Sequence, residues 1–154
     1  MEINQLKEPD KLKQNKKLEQ KYSCMQALLA ELRKQEIPAE IAKTINQEIA
    51  EIETISGSNK AVRKQIAQAQ YNILKLIEKE LCLVPKNLYR SRWLAIGMAV
   101  FGVPLGVSFG LALGNMGLMG IGLPLGMVLG MAIGANMDNK ALAEGRQLDI
   151  EINF

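Results

Sequence analysis

Gly102-Val103-Pro104-Leu105-Gly106 and Gly122-Leu123-Pro124-Leu125-Gly126 are two copies of one pattern, and both lie in a long apolar stretch of the chain. Glycine recurs at every fourth position in each copy, at Gly102, Gly106, Gly110 and Gly114 and at Gly122, Gly126, Gly130 and Gly134. Residues four apart share one face of a helix, and a stripe of glycine lets a second backbone approach closely. The pattern therefore predicts closely packed apolar helices.

The surrounding stretch, residues 93–137, contains no Asp, Glu, Lys or Arg. One membrane-spanning helix needs about 20 apolar residues, so this stretch can supply two. We expect spans at 93–114 and 118–136 with a turn at 115–117. Ala95 and Ala99 are expected to extend the first glycine face, and Pro104 and Pro124 to kink the helices, because proline removes a backbone donor.

Basic and aromatic residues mark the expected entrance to the bilayer. Basic side chains favour the headgroup zone, and Tyr and Trp favour the interface itself. The predicted turn carries no charge, so the positive-inside rule predicts that both termini are cytoplasmic. The expected interface anchors are Lys86, Tyr89, Arg90, Arg92 and Trp93.

Residues 1–92 have the pattern of a cytoplasmic helical domain. Apolar residues recur at helical spacing in three segments, at about 10–35, 38–55 and 60–84, which predicts a coiled-coil-like bundle of three helices. The first seam comprises Leu18, Tyr22, Met25, Leu29 and Leu32, and the second comprises Ile41, Ile45, Ile49, Ile52 and Ile55. The expected fold is all-α, with this bundle followed by a transmembrane hairpin.

Residues 138–154 form a cytoplasmic tail that ends in a different pattern. Leu148, Ile150, Ile152 and Phe154 alternate with polar residues, which predicts a short β-strand within 147–154. A lone strand needs an edge to pair with, in the same chain or in another subunit. The alternative is a tail that lies over the helical domain without pairing.

Several classes of function are disfavoured by composition. The chain has no histidine, and its two cysteines, Cys24 and Cys82, form no CxxC motif, so neither a metal nor another cofactor is expected. The absence of a nucleophile–base set predicts a non-enzymatic protein. The absence of ionisable residues in the spans argues against a transporter. Residues 1–92 carry a net charge of +5, which is slight for nucleic-acid binding, and such binding is not expected.

The two glycine patterns, together with Gly134-Ala135-Asn136-Met137-Asp138 and the residues that follow it, resemble the small bacterial glycine-zipper family of membrane proteins. The resemblance covers about residues 93–146. It implies helix packing in a bacterial inner membrane. It implies no particular activity, and it does not extend to residues 1–92.

The glycine faces allow two arrangements. They close the hairpin internally if they face each other, or join several hairpins if they face outward. We expect assembly: a homo-oligomeric inner-membrane protein that presents residues 1–92 to a cytoplasmic protein partner as a scaffold, accessory or immunity-type factor. The alternative function is an oligomeric pore or membrane-permeabilising effector gated by that domain. A soluble domain packed inside a larger complex is a third interpretation.

Overall fold

A computed structural model describes residues 2–7, 15–55, 58–115, 117 and 119–152. The protein is all-α apart from one pair of short strands, as the sequence predicts. The elements in chain order are α1 (Lys16–Arg33), α2 (Ala39–Thr54), α3 (Asn59–Leu81), β1 (Val84–Lys86), α4 (Leu88–Gly97), a π-helical segment (Met98–Gly102), α5 (Val103–Ala112), α6 (Met119–Ala143) and β2 (Gln147–Glu151).

The first compact unit is helical and comprises Met1–Val84 with Leu148–Ile150. In it α3 packs against both α1 and α2. The predicted seams supply the core, because burial of their apolar side chains is what drives amphipathic helices together. The fully buried members include Leu18, Tyr22, Met25, Leu29, Leu32, Ile45 and Ile49.

The third helix ends earlier than expected, at Leu81. Cys82 adopts a left-handed conformation with φ 54°, and the amide of Leu83 donates to the carbonyl oxygen of Ile77, 3.2 Å away. This closes the last turn and lets the chain leave as strand β1.

The predicted C-terminal strand is present as β2 and pairs with β1 of the same chain. Leu148 and Ile150 point inward and are buried, as the alternation predicts. Ile152 is also buried but follows the end of the strand, and Phe154 lies outside the described residues. The pairing is therefore within one chain, a question that the alternation alone left open.

The second unit comprises Pro85–Gln147 with Glu151–Phe154 and is dominated by a helical hairpin. Its first arm runs without interruption from α4 through the π-helical segment to α5, and α6 packs along that whole length. The two arms, Leu88–Ala112 and Met119–Ala143, extend beyond the predicted spans at their charged ends. The compact unit begins at Pro85, and its first helix begins at Leu88, five residues before the predicted span.

Candidate functional site: a glycine interface closed by a carboxylate

The glycine stripe of α6 lies directly against the backbone of the first arm. Gly122, Gly126, Gly130 and Gly134 are all buried. A Cβ placed on Gly126 would lie 2.5 Å from the amide nitrogen of Gly102 and 2.5 Å from the carbonyl oxygen of Gly97. A Cβ on Gly134 would lie 2.5 Å from the Cα of Arg90. Only glycine permits this approach, so the spacing of four serves contact between the two arms of one hairpin.

The first arm contributes a stripe that differs from the predicted one. Gly102, Gly106 and Gly110 are buried as expected. Ala95 and Ala99, by contrast, are exposed, so the prediction that they extend the face is wrong. Gly97 takes their place: a Cβ on it would lie 2.7 Å from the Cα of Gly130.

The π-helical segment explains the change of register. Gly97 precedes Gly102 by five residues, and an α-helix would turn these two residues to different sides. Between them, Met98–Gly102 is π-helical, and the amide of Val103 donates to the carbonyl of Met98, five residues earlier. The wider turn keeps Gly97 on the face of Gly102. Pro104 follows immediately and lacks the amide that an α-helical turn there would need.

Two further predicted residues have different surroundings from those expected. Gly114 is exposed, has φ +64° and meets nothing within 4 Å among the described residues, so it ends the first arm and does not pack against α6. Pro124 lies inside α6, which is one helix from Met119 to Ala143. The predicted kinks at Pro104 and Pro124 stay predictions.

Asp138 continues the glycine stripe of α6 by one more step of four, and it is buried. Its Oδ1 accepts from the amide of Tyr89 at 3.1 Å, and its Oδ2 accepts from the amide of Arg90 at 2.9 Å. These are amides of the first turn of α4, where a carboxylate also meets the positive end of the helix dipole. Asn87, at the N-cap position, has the left-handed φ of 58° and not the extended conformation of a capping residue. Asp138 therefore caps α4 from the opposite arm.

From the sequence Asp138 is expected in the tail, and its contact with α4 is not predicted. A signal was present, because Asp138 lies four residues after Gly134 in the same periodic series. A charged residue that follows an apolar helix is usually exposed to solvent. The sequence therefore predicts Asp138 as an exposed residue and not as a member of the stripe.

The predicted interface anchors lie at the same end of the hairpin. Lys86, Arg90 and Arg92 are exposed, and Tyr89 and Trp93 are half-buried. Just beyond α6, the Arg146 guanidinium pairs with the Glu144 carboxylate. Hydrogen bonding to Arg146 lowers the pKa of Glu144, and the same bond raises the pKa of Arg146, to which a hydrogen bond with Tyr89 adds. Charge is therefore concentrated beside the open end of the hairpin.

In the part of the chain that the structure describes, the outward surface of the hairpin is apolar and largely exposed. Only 22% of the most apolar window of each arm is buried, whereas a core helix of a soluble protein is mostly buried. The Ser108 hydroxyl donates to the carbonyl of Pro104 at 2.8 Å, so its polar hydrogen is used within its own helix. Both arms are long and apolar enough to cross a membrane. Exposed large side chains include Val100, Val103, Leu111, Ile121, Val128 and Leu129.

Comparisons with family models, with curated proteins and with solved structures find no match to this chain. Among the described residues no group of three His, Cys, Asp or Glu side chains could hold a metal ion. The features that bear on function are therefore the inward glycine face and the outward apolar face of the hairpin.

Proposed function

We propose that this protein is a non-enzymatic integral membrane protein whose hairpin spans the bilayer twice and holds the helical unit on the cytoplasmic side. The distribution of side-chain size carries the proposal: glycine lies between the arms and large apolar side chains cover the outside. In water this arrangement would expose a large apolar surface, which soluble monomers rarely do. In lipid the same surface needs no covering.

The glycine interface supplies what holds such a hairpin together. Lipid chains are as apolar as the side chains, so helices in a bilayer associate through close van der Waals packing and polar contacts and not through the hydrophobic effect. Backbone contact along the glycine stripe provides the van der Waals packing, and the carboxylate of Asp138 provides a polar contact. The hairpin thus acts as an anchor with a defined geometry.

Orientation follows from charge. Lys86, Arg90, Arg92 and Lys140 lie at the end where the chain enters and leaves the hairpin, and cytoplasmic loops are enriched in such residues. The resemblance to bacterial glycine-zipper proteins supports placement in a bacterial inner membrane, with both termini cytoplasmic.

Thiol labelling in intact cells tests the topology. Cys24→Ser leaves the exposed Cys82 as the single thiol near the predicted cytoplasmic face. Gly117→Cys, in a chain with both native cysteines replaced by serine, places a single thiol in the exposed turn. A membrane-impermeant maleimide should label residue 117 in intact cells and Cys82 only after lysis. Labelling of both thiols without lysis, or release of the protein by alkaline extraction, would refute the proposal.

Self-association through the glycine faces stays a prediction. Contact within one chain already covers those faces, so copies would have to exchange arms or use the outward apolar surface. We therefore propose an internally closed hairpin as the unit that any assembly would contain. Nanodisc stoichiometry tests the predicted self-association: a monomer would mean that the glycine faces act only within one hairpin, and a discrete oligomer that Gly126→Leu dissociates would support the intersubunit arrangement and the pore.

A further inference from the structure

The segment formed by residues 2–7 packs in the helical unit and lies outside regular secondary structure. We call it the arm, as distinct from the two hairpin arms described above. Only two of its side chains are buried, Ile3 at 7% exposure and Leu6 at 5%. The side chains of Glu2, Asn4, Gln5 and Lys7 are exposed. The arm therefore has two apolar anchors, three residues apart, on an otherwise solvated segment.

Side chains of helix α2 form hydrogen bonds with main-chain groups along one side of the arm. The side-chain amide of Asn46 accepts from the Asn4 amide at 2.8 Å and donates to the Glu2 carbonyl oxygen at 3.0 Å. These two main-chain groups lie on the same side of the arm, within reach of one Asn side chain, which satisfies both of them. Further along, the Lys7 amide donates to the Glu53 carboxylate at 3.2 Å.

Side chains of helix α1 donate hydrogen bonds to carbonyl groups of the arm. Arg33 donates from Nε to the Ile3 carbonyl at 3.0 Å and from Nη2 to the Asn4 carbonyl at 2.6 Å. The Tyr22 hydroxyl donates to the Leu6 carbonyl at 2.6 Å. Each of these bonds is made to main-chain atoms, so this recognition is independent of the side chains that the arm displays. Selection then rests on the two apolar anchors.

The site is also larger than the arm that occupies it. A cavity of about 490 Å³ lies beside residues 2–5 and is bounded by Leu32, Arg33, Gln35 and Ile37. The arm covers the side chains of Asn46, Arg33 and Tyr22, which bond to its main chain, but it does not fill this cavity. Because residues 2–5 form part of the cavity wall, a ligand that displaced them would meet this space enlarged.

We propose that α1 and α2 form a peptide-binding groove, called here the arm groove, and that the arm is its internal, autoinhibitory occupant. The external occupant is an extended peptide of a partner protein that carries two large aliphatic side chains three residues apart. Asn46, Arg33 and Tyr22 hold its main chain. The C-terminal sequence Glu151-Ile152-Asn153 repeats three residues of the arm, but Ile152 is already buried elsewhere in the fold. It is thus a poor candidate for the exchange.

The first experiment uses the full chain in nanodiscs and a fluorescent hexapeptide, Glu-Ile-Asn-Gln-Leu-Lys, which copies the arm. Ile3→Asp with Leu6→Asp releases the arm, and fluorescence polarisation measures peptide binding. Binding should be at least about tenfold tighter to this variant than to the unaltered chain, because a tethered arm competes at an effective concentration of about millimolar. A hexapeptide with aspartate at both anchor positions should not bind.

Substitutions in the groove test the mode of recognition. Asn46→Ala in the released variant removes two hydrogen bonds to the peptide main chain and should weaken binding by about tenfold or more. Gln47→Ala is the matched control: Gln47 is the exposed neighbour of Asn46 and should leave the affinity unchanged. Equal effects of the two substitutions would overturn the proposed recognition.

A measurement on the unaltered chain decides the matter if the released variant does not fold. Hexapeptide above the effective concentration should displace the arm and accelerate hydrogen exchange at its amides, including that of Asn4. A folded released variant that binds no peptide overturns the proposal. If that variant is unfolded by circular dichroism, unchanged exchange of the arm under excess peptide overturns it equally.

Discussion

Replacing Gly126 with alanine is the sharpest test of the glycine interface. The added methyl group would meet main-chain atoms of Gly97 and Gly102, which cannot swing aside as a flexible side chain can. Gly120 supplies the matched control, because it lies in the same helix and a Cβ there meets nothing within 4 Å among the described residues. The two substitutions add the same atoms to the same helix, and only one adds them to the interface.

The expected cost follows from the distances. A Cβ at Gly126 would lie 2.5 Å from two backbone atoms, and ordinary contact begins at 3.4 Å, so the arms must separate locally by 3.4 − 2.5 = 0.9 Å. Gaps of about 0.5–1 Å forfeit a quarter to a half of each dispersion contact. Overpacking of this kind costs about 1–3 kcal/mol, and the better helix propensity of alanine returns up to about 1 kcal/mol. We expect Gly126→Ala to lower the free energy of unfolding by about 1–2 kcal/mol.

Trp93 provides the measurement. It is the single tryptophan of the chain, and its carbonyl carbon would lie 2.9 Å from a Cβ on Gly130, so it belongs to the interface. Titration of the protein in mixed lipid–detergent micelles with dodecyl sulfate, followed by Trp93 fluorescence, should give an earlier transition for Gly126→Ala. Gly120→Ala should match the unaltered chain or exceed it slightly. Coincident transitions for both variants would refute the view that backbone contact holds the hairpin closed.

Two other predictions concern charged groups at the open end of the hairpin. Asp138→Ala removes the cap on α4 and should lower the free energy of unfolding by about 0.5–2 kcal/mol in the same titration. Asn139→Ala, at an exposed neighbouring position, should leave that free energy unchanged. A similar loss in both variants would contradict the capping role. Arg146→Ala should raise the pKa of Glu144 toward its ordinary 4.5, as measured by carbon-detected NMR titration, because the pair lowers that pKa in the folded chain. Because the pKa of Glu144 is lower in the folded chain than in the unfolded chain, the pair stabilises the fold at pH values above the unfolded pKa. This stabilisation is lost as the pH falls through the folded pKa, so the pair should contribute little to stability in acid. An unchanged titration of Glu144 would show that Arg146 does not act on it.

The errors at Ala95 and Ala99 have a common physical cause. Ala99 and Ala95 lie three and seven residues before Gly102, and these spacings share a face with it only in an uninterrupted α-helix. The π-helical segment inserts an extra residue, so Gly97 takes the inward position instead. On α6 the helix is continuous, and there every predicted glycine lies in the interface. Periodicity predicted the face correctly wherever the helical period itself was constant.

The arm groove could not be predicted from periodicity at all. Residues 2–7 form neither helix nor strand, and their hydrogen bonds reach side chains on α1 and α2 that lie far along the chain. Asn46 and Arg33 look like ordinary solvated helix residues in the sequence. Their role depends on which backbone atoms the fold brings within reach.

By itself the sequence determined the properties that arise from neighbouring residues. Apolar spacing specified the amphipathic helices, the uncharged length of residues 93–137 specified a hairpin able to span a membrane, and strict alternation specified β2. Tertiary structure alone decided which surfaces meet: glycine face against glycine face, β2 on β1, and Asp138 on the first turn of α4. Local patterns set the shape and polarity of each element. Partners are chosen by contacts between distant residues, whose energies depend on the whole fold.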